Sequence, residues 1–392
     1  MKNIIRRFYI LPEKGTGFRE QLDECINKIK GYFENSRDYQ IIHQLFFVKS
    51  ESNNEYVRQK EEIFDSLKSI YNQVPSASVI AQLPDNGFLV TVELMVLMNR
   101  TEDIDISYKN TKGIYYTVIK TEDYRQIFAG GITIYEPDKD YQSQANGAYS
   151  LMNDILCSEM MSFSDVVRQW NYIEDIIGVK TRTDKEYQNY QVLNDVRASY
   201  YDKENFVNGY PASTGIGMNA GGIILEFISI KPENGVNIVP LKNPGQIDAY
   251  DYSQGVLIGN AINLQNRKSS PKFERAKYIS INEKKTIYVS GTASIRDEKT
   301  IGEDDVKKQT AVTIENIDNL ISGSNLINSG ISNNYEKRSF SFIRVYVKNK
   351  SEIKVVKEIC DSYYKDVPIN YLVADICRDN LLVEIEGIVE IT

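Results

Sequence analysis

The chain of 392 residues is 42% hydrophobic and 26% charged, a composition that folds rather than one that stays disordered. Its net charge of −8 argues against a general nucleic-acid surface, which needs clustered Lys and Arg, while leaving room for a small anion held by a local arginine pocket. A single histidine, His43, argues against a histidine-built metal site and a Ser-His-Asp triad, so proton transfer falls to carboxylates, tyrosines, cysteines or lysines.

Along the chain, a basic start (Lys2, Arg6, Arg7) is followed by no apolar leader segment, and no apolar run approaches the roughly 20 residues that span a bilayer. The expectation is a cytoplasmic protein with no membrane contact. Residues 18–33 have helical spacing, with Phe18, Leu22, Ile26, Ile29 and Phe33 on one face, and residues 55–71 place Ile63, Leu67 and Ile70 inward. His43, inside the apolar run 41–47, reads as a strand residue with a local hydrogen bond. Further β-rich stretches cover 78–82, 87–98, 113–120 and 126–135, then a helix 142–158 and a strand 166–172. The stretch 184–275 reads as irregular, rich in Tyr, Asn, Gly and Pro, and loops on such a scaffold are where binding residues sit. The last unit ends in a helix 352–364 and strands 371–375 and 381–391. In the final strand Val383, Ile385, Gly387 and Val389 alternate with Glu384, Glu386 and Ile388, so both glutamates share a face that periodicity alone assigns to solvent.

Two segments repeat. Ile127-Phe128-Ala129-Gly130-Gly131-Ile132-Thr133-Ile134 resembles Ile287-Tyr288-Val289-Ser290-Gly291-Thr292-Ala293-Ser294-Ile295. Each is followed by a glutamine (Gln144, Gln309), an amphipathic helix and a strand, as two diverged copies of one α+β unit would be. The predicted fold is α+β, two domains, each a mixed sheet packed on helices: an N-terminal one over 1–180 and a C-terminal one over 181–392, the latter with the long insert of about 184–275. The glycines at 130–131 and 221–222 run into β-type sequence, and neither a dinucleotide fingerprint nor a P-loop is present. Cys25, Cys157, Cys360 and Cys377 are far apart, with no C-x-x-C. No metal and no cofactor are expected.

The repeated unit resembles the Rid (YjgF-like, chorismate-mutase-like) fold in its Ser-Gly-Thr turn, Gln309, Glu315-Asn316-Ile317 and Leu382-Val383-Glu384-Ile385-Glu386-Gly387. The passage 368–371 lacks the arginine with which Rid deaminases hold a substrate carboxylate, which counts against simple enamine hydrolysis. A larger part of the chain, from about 165 to 391, resembles the chorismatases. The motifs are Arg168-Gln169-Trp170-Asn171-Tyr172-Ile173, Tyr190 to Arg197, Tyr210 to Gly217, Ala249-Tyr250-Asp251-Tyr252, Ser270-Pro271-Lys272-Phe273-Glu274-Arg275-Ala276, the Ser290-Gly291-Thr292 turn and Cys377 to Gly387.

This resemblance implies a cofactor-free enzyme that removes the enolpyruvyl group of chorismate. Tyr190, Arg197, Tyr252 and Arg275 would bind the substrate, two arginines suiting its two carboxylates. Glu384 would be the catalytic acid/base, with a pKa raised by an apolar site. Cys377, seven residues before Glu384, together with Gly291, resembles the type that forms 3-hydroxybenzoate. The alternatives are hydrolysis to a dihydroxycyclohexadiene carboxylate, a mixture of 3- and 4-hydroxybenzoate, a Rid-type enamine/imine hydrolase, or a non-catalytic metabolite-binding protein. The partner is then a small molecule, not a nucleic acid, and the protein a monomer or a homotrimer.

Overall fold

A computed structural model describes residues 4–392 except 34–38, 86, 99–100, 102, 137–138, 183, 264–265 and 333–336. Three sheets form in succession, each packed against helices. The first is built from β1 (Ile4–Ile10), α1 (Phe18–Phe33), β2 (Tyr39–Val48), α2 (Asn53–Ile70) and β3 (Ser76–Ile80). A short β4 (Leu83–Pro84) leaves for the third sheet before β5 (Val90–Met98) completes the first. The second takes β6 (Asp105–Thr111), β7 (Ile114–Lys120), β8 (Tyr124–Ile132), α3 (Tyr141–Ser158) and β9 (Val166–Glu174). A hairpin of β10 (Val179–Arg182) and β11 (Lys185–Gln188) leads into α4 (Asn189–Tyr201), and β12 (Ala212–Met218) and β13 (Ile223–Pro232) finish that sheet. The third starts with β14 (Val236–Leu241), β15 (Ala276–Ile281) and β16 (Lys284–Ala293). After the hairpin β17 (Ile295–Arg296) and β18 (Lys299–Thr300) come α5 (Val306–Leu320), α6 (Gly323–Asn328) and β19 (Arg338–Val347). The chain then closes with α7 (Ile353–Tyr363), β20 (Ile369–Val373) and β21 (Val383–Ile391).

The three sheets follow one path. The second runs β12-β9-β13-β8-β7-β6 and the third β20-β19-β21-β16-β15-β14, with β4 added beside β20. The first, β3-β2-β5-β1, is the same path without its two opening strands. In each, one pair is parallel, crossed over by a helix: β2 with β3, β9 with β12, β19 with β20. Second and third sheets agree in register at an offset of 160 residues. Phe227 pairs with Ala129 and Leu225 with Ile132; correspondingly Gly387 pairs with Val289 and Ile385 with Thr292. A bulge at Gly130–Gly131 therefore matches one at Ser290–Gly291. The two repeated sequence segments lie on β8 and β16, at this same place.

Local chemistry explains the elements. Ser52 caps α2 by accepting from the Glu55 N–H, and Tyr56, Gln59, Ile63, Ser66 and Leu67 form its buried stripe. Asp140 and Asp305 cap α3 and α5 in the same way. Helix α1 covers 18–33 as expected, although the Phe33 side chain lies outside the described residues. The helical faces of the second and third sheets bury separate cores. Residues from the opposite faces, including Trp170, Tyr172, Ile216, Tyr288 and Tyr346, join the core of the first sheet in one cluster.

The 184–275 stretch, expected to be irregular, contains β11, α4, β12, β13 and β14. Helix α4 escapes pattern reading because half of its buried positions are polar: Asn189, Gln191, Asn194, Asp195 and Arg197. Polar residues buried beside Val192, Leu193, Val196 and Tyr201 blur the 3.6-residue signal of its apolar stripe. No described helix is long and apolar enough to cross a membrane.

Candidate active site

Where α4 and β12 of the second sheet meet β16, β21 and the 377–381 loop of the third, the chain encloses a cavity. The space there is roughly 600 Å³ when open solvent at its mouth is included. Glu384, Cys377, Tyr190, Tyr252, Arg275 and Gly291 all line it. Arg197 does not. It lies buried behind the wall, its Nη2 donating to Oδ1 of Asn194 at 2.6 Å, and Asn194 lines the cavity.

The face of β21 that bears Glu384 and Glu386 is not solvated, a correction to the periodicity reading. Both glutamates are 4% exposed. Alternation tells which residues share a face; here that face is covered by the second sheet, whose Thr214 on β12 reaches both the Gly291 turn and Glu386. Glu386 is held by cations. Arg168 Nη2 donates to it at 2.5 Å, Arg344 Nη1 at 2.6 Å and Trp170 Nε1 at 2.9 Å. Burial works against its charge, but the two guanidinium groups and the Thr214 and Trp170 donors hold its pKa below the usual range.

Glu384, two residues earlier, goes the other way. Burial, reinforced by the Glu386 charge, pushes its pKa up to about 8, against a weaker pull from Arg168 and Arg275. Its carboxyl has no hydrogen-bond partner among the described residues and opens on the cavity. Two carboxyls with environments that drive their pKa values apart divide into a proton donor and a fixed charge. Gly291 makes this fit possible. A Cβ there would fall 2.0 Å from Oε1 of Glu384 and 3.1 Å from Cγ2 of Thr214.

The remaining walls supply positive charge and aromatic surface. Arg275 Nη2 donates to the Tyr252 hydroxyl at 2.8 Å, and its Nε has no partner. Arg378 also lines the cavity, and its guanidinium lies 5.1 Å from the centre of the Tyr252 ring, that of Arg275 5.6 Å. Neither Arg275, Arg378 nor Arg197 has a carboxylate within ion-pair range among the described residues. Asn194 Nδ2 is a further unpaired donor. Unspent buried donors each cost about 1–3 kcal/mol, a cost an anionic ligand would remove. Tyr190 packs against Gly215, where a Cβ would come within 2.8 Å of its ring. Cys377 is a free thiol, and burial, with the nearby Glu384 charge, pushes its pKa up to about 12. At neutral pH it is no thiolate nucleophile.

Sequence reading gave no role to Arg378, Gln191 or Asn194. Arg378 carried a signal, an arginine directly after Cys377; Asn194 and Gln191 sat inside a quoted motif but look like ordinary polar helix residues. The Arg344–Glu386 pair had no sequence signal, because β19 and β21 neighbours are 42 residues apart. His43 does lie in a strand, its Nδ1 2.8 Å from the Ser76 hydroxyl, and its Nε2 is 3.2 Å from Glu226.

Residues 103–229 match the family model "Chorismatase FkbO/Hyg5-like, N-terminal", and residues 273–391 match "Endoribonuclease L-PSP". A 3-hydroxybenzoate synthase from Streptomyces hygroscopicus is 34% identical over 260 residues, 64% of this chain and 71% of the relative. A chorismatase from Streptomyces rapamycinicus is 30% identical over 58% of this chain and 65% of its own length. A chorismatase crystal structure superposes with a TM-score of 0.71 at 19% identity, covering 99% of this chain and 98% of that one.

Proposed function

This chain belongs to the chorismatase family, and from that premise we propose that it converts chorismate to pyruvate and 3-hydroxybenzoate, with Glu384 as the acid/base. The observation that carries the reading is a carboxyl with a pKa near 8 facing a cavity, where neither the carboxyl has a hydrogen-bond partner nor the arginines a counter-ion among the described residues. Arg275 and Arg378 would bind the substrate carboxylates, with Tyr252 between them in reach of both. Arg197 would act through Asn194 rather than by touching the ligand. Tyr190 supplies a wall for the ring.

Glu384, neutral at pH 7, gives its proton to the enolpyruvyl methylene. The ring–ether bond breaks and pyruvate leaves with the ether oxygen. The neighbouring ring hydroxyl closes onto the vacated carbon as a protonated epoxide, its bond to the original ring carbon breaks so that the oxygen stays on the former ether carbon, and loss of the proton on that carbon, taken up by Glu384, aromatises the ring. Chorismate and the two products together are isomeric, so no water or redox partner enters. Cys377 as a neutral thiol shapes the ring pocket.

The fold supports a finer reading, in which two Rid/YjgF-like units are formed by the second and third sheets, about 105–232 and 236–391. The insert then reduces to the loop between β14 and β15, which brings Tyr252 to the site. A cytoplasmic setting, with four unpaired cysteines, belongs to the same reading.

The test is Glu384→Gln, assayed for chorismate binding by calorimetry and for pyruvate release. Binding within threefold of wild type with turnover lowered at least a thousandfold is expected; unchanged turnover would remove Glu384 from the mechanism. Chromatography of the wild-type product decides between 3-hydroxybenzoate and a diene diol.

A further inference from the structure

A second cavity lies between the first and second sheets, against α2. It is a groove with roughly 1,690 Å³ of space, open solvent included. The 160-residue register relates its floor to that of the catalytic cavity. Phe273, Arg275, Gly291, Ala293 and Ile295 line the catalytic cavity, and Gly113, Tyr115, Gly131, Thr133 and Tyr135 line the groove. These five positions correspond one to one. The helix wall corresponds as well: Tyr190 and Asn194 on α4 face one cavity, Tyr56 and Lys60 on α2 the other, at the same four-residue spacing.

The differences define what the groove can do. The counterpart of Glu384 is Ile224, which is fully buried and has no proton to give. The counterpart of Arg275 is Tyr115, stacked on Phe64 with ring centres 5.8 Å apart. The cation facing the groove without an acid partner among the described residues is Lys60; Lys68 is 3.4 Å from Asp65. We propose that this groove is a second, non-catalytic site for a planar aromatic monocarboxylate, its ring against Tyr115 and Phe64 and its carboxylate on Lys60. Two arginines suit the dianionic substrate; one lysine and an aromatic wall suit a ring with one carboxylate. Burial lowers the Lys60 pKa, and a bound anion would favour its charge, although Glu61, Asp65 and Glu136 share the groove. The identification with the product class rests on the function proposed above; the existence of the site does not.

Titration of the full chain with 3-hydroxybenzoate by calorimetry tests this. Wild type should take up two equivalents, and Lys60→Met one, with affinity for the lost site down at least tenfold. Thr133→Trp, which fills the groove without touching Lys60, should also leave one. Pyruvate release from chorismate should be unchanged in both variants, so a failed turnover assay would count against the proposed function alone. No uptake by wild type, or a wild-type stoichiometry that survives unchanged in both variants, would overturn the second site.

Discussion

Glu384 and Glu386 are the same residue type, two apart on one strand face, equally buried, and they titrate in opposite directions. The difference lies in their partners. Glu386 has two guanidinium groups, a hydroxyl and an indole N–H; Glu384 has none of these and sits beside the Glu386 charge. If Glu384 acts as the acid, kcat is high below its pKa and falls about tenfold per pH unit above about 8. A pH–rate profile flat across pH 7–9 would contradict this. The same shift has a stability consequence. A carboxyl whose folded pKa is raised contributes stability that is fully present below its unfolded pKa, near 4.3, and is lost as pH rises through the folded value. Thermal denaturation across pH 5–9 should therefore show Glu384→Gln gaining on wild type as the pH rises. Gly291 is the complementary case. Gly291→Ala puts a methyl where the Glu384 carboxyl now lies, so kcat should fall at least tenfold while the melting temperature changes little. Equal kcat in that variant would mean that Glu384 has room to spare. From sequence, the motif was enough to single out Glu384, but not to see that Glu386 is buried, because alternation says nothing about what covers a face.

At the scale of elements, β21 is fixed by an ion network that no local pattern announces. Glu386 bridges Arg168 of β9 and Arg344 of β19, and Arg344 Nη2 also reaches Glu93 of β5 at 2.5 Å. Arg7 of β1 lies 3.6 Å from the same Glu93. Taking one partner out of such a buried set leaves uncompensated charge and costs about 3–5 kcal/mol. Glu386→Gln keeps the shape and removes the charge. Denaturant unfolding should show that loss, and the alkaline limb of kcat should move to lower pH, because Glu384 loses a neighbouring negative charge. Destabilisation with an unmoved alkaline limb would mean that Glu386 is structural only. The elements with apolar stripes, α1, α2, α3 and α7, were legible from the sequence to within two residues. Helix α4 was not, since it buries amides, a carboxylate and a guanidinium beside its apolar residues and so blurs the stripe. Its polar inner face is also what makes it the wall of a site for a polar ligand.

The whole molecule is organised as a closed ring. Glu93, Glu226 and Glu386 occupy one register position in the three sheets, opposite Leu45, Trp170 and Arg344. Each accepts from the preceding unit: Ser78 Oγ donates to Glu226 at 2.9 Å, Thr214 Oγ1 to Glu386, and Asn370 Nδ2 to Glu93 at 2.6 Å. Those three donors also share one register position, opposite the same Leu45, Trp170 and Arg344. The repeat of β8 and β16 was readable in the sequence. The first sheet was not readable as a third copy, because it lacks the opening two strands and keeps only the path. Two residues before each glutamate stand Thr91, Ile224 and Glu384, so the three inter-unit positions carry one acid between them. A ring in which every unit already meets two others leaves no equivalent face for further copies. The protein should therefore run at the mass of one chain in light scattering, and its specific activity should not change on dilution into the nanomolar range. A mass of three chains, with activity lost on dilution, would mean that a site residue comes from another copy. On the geometry described, both walls of the catalytic cavity and the acid between them come from the second and third units of a single chain.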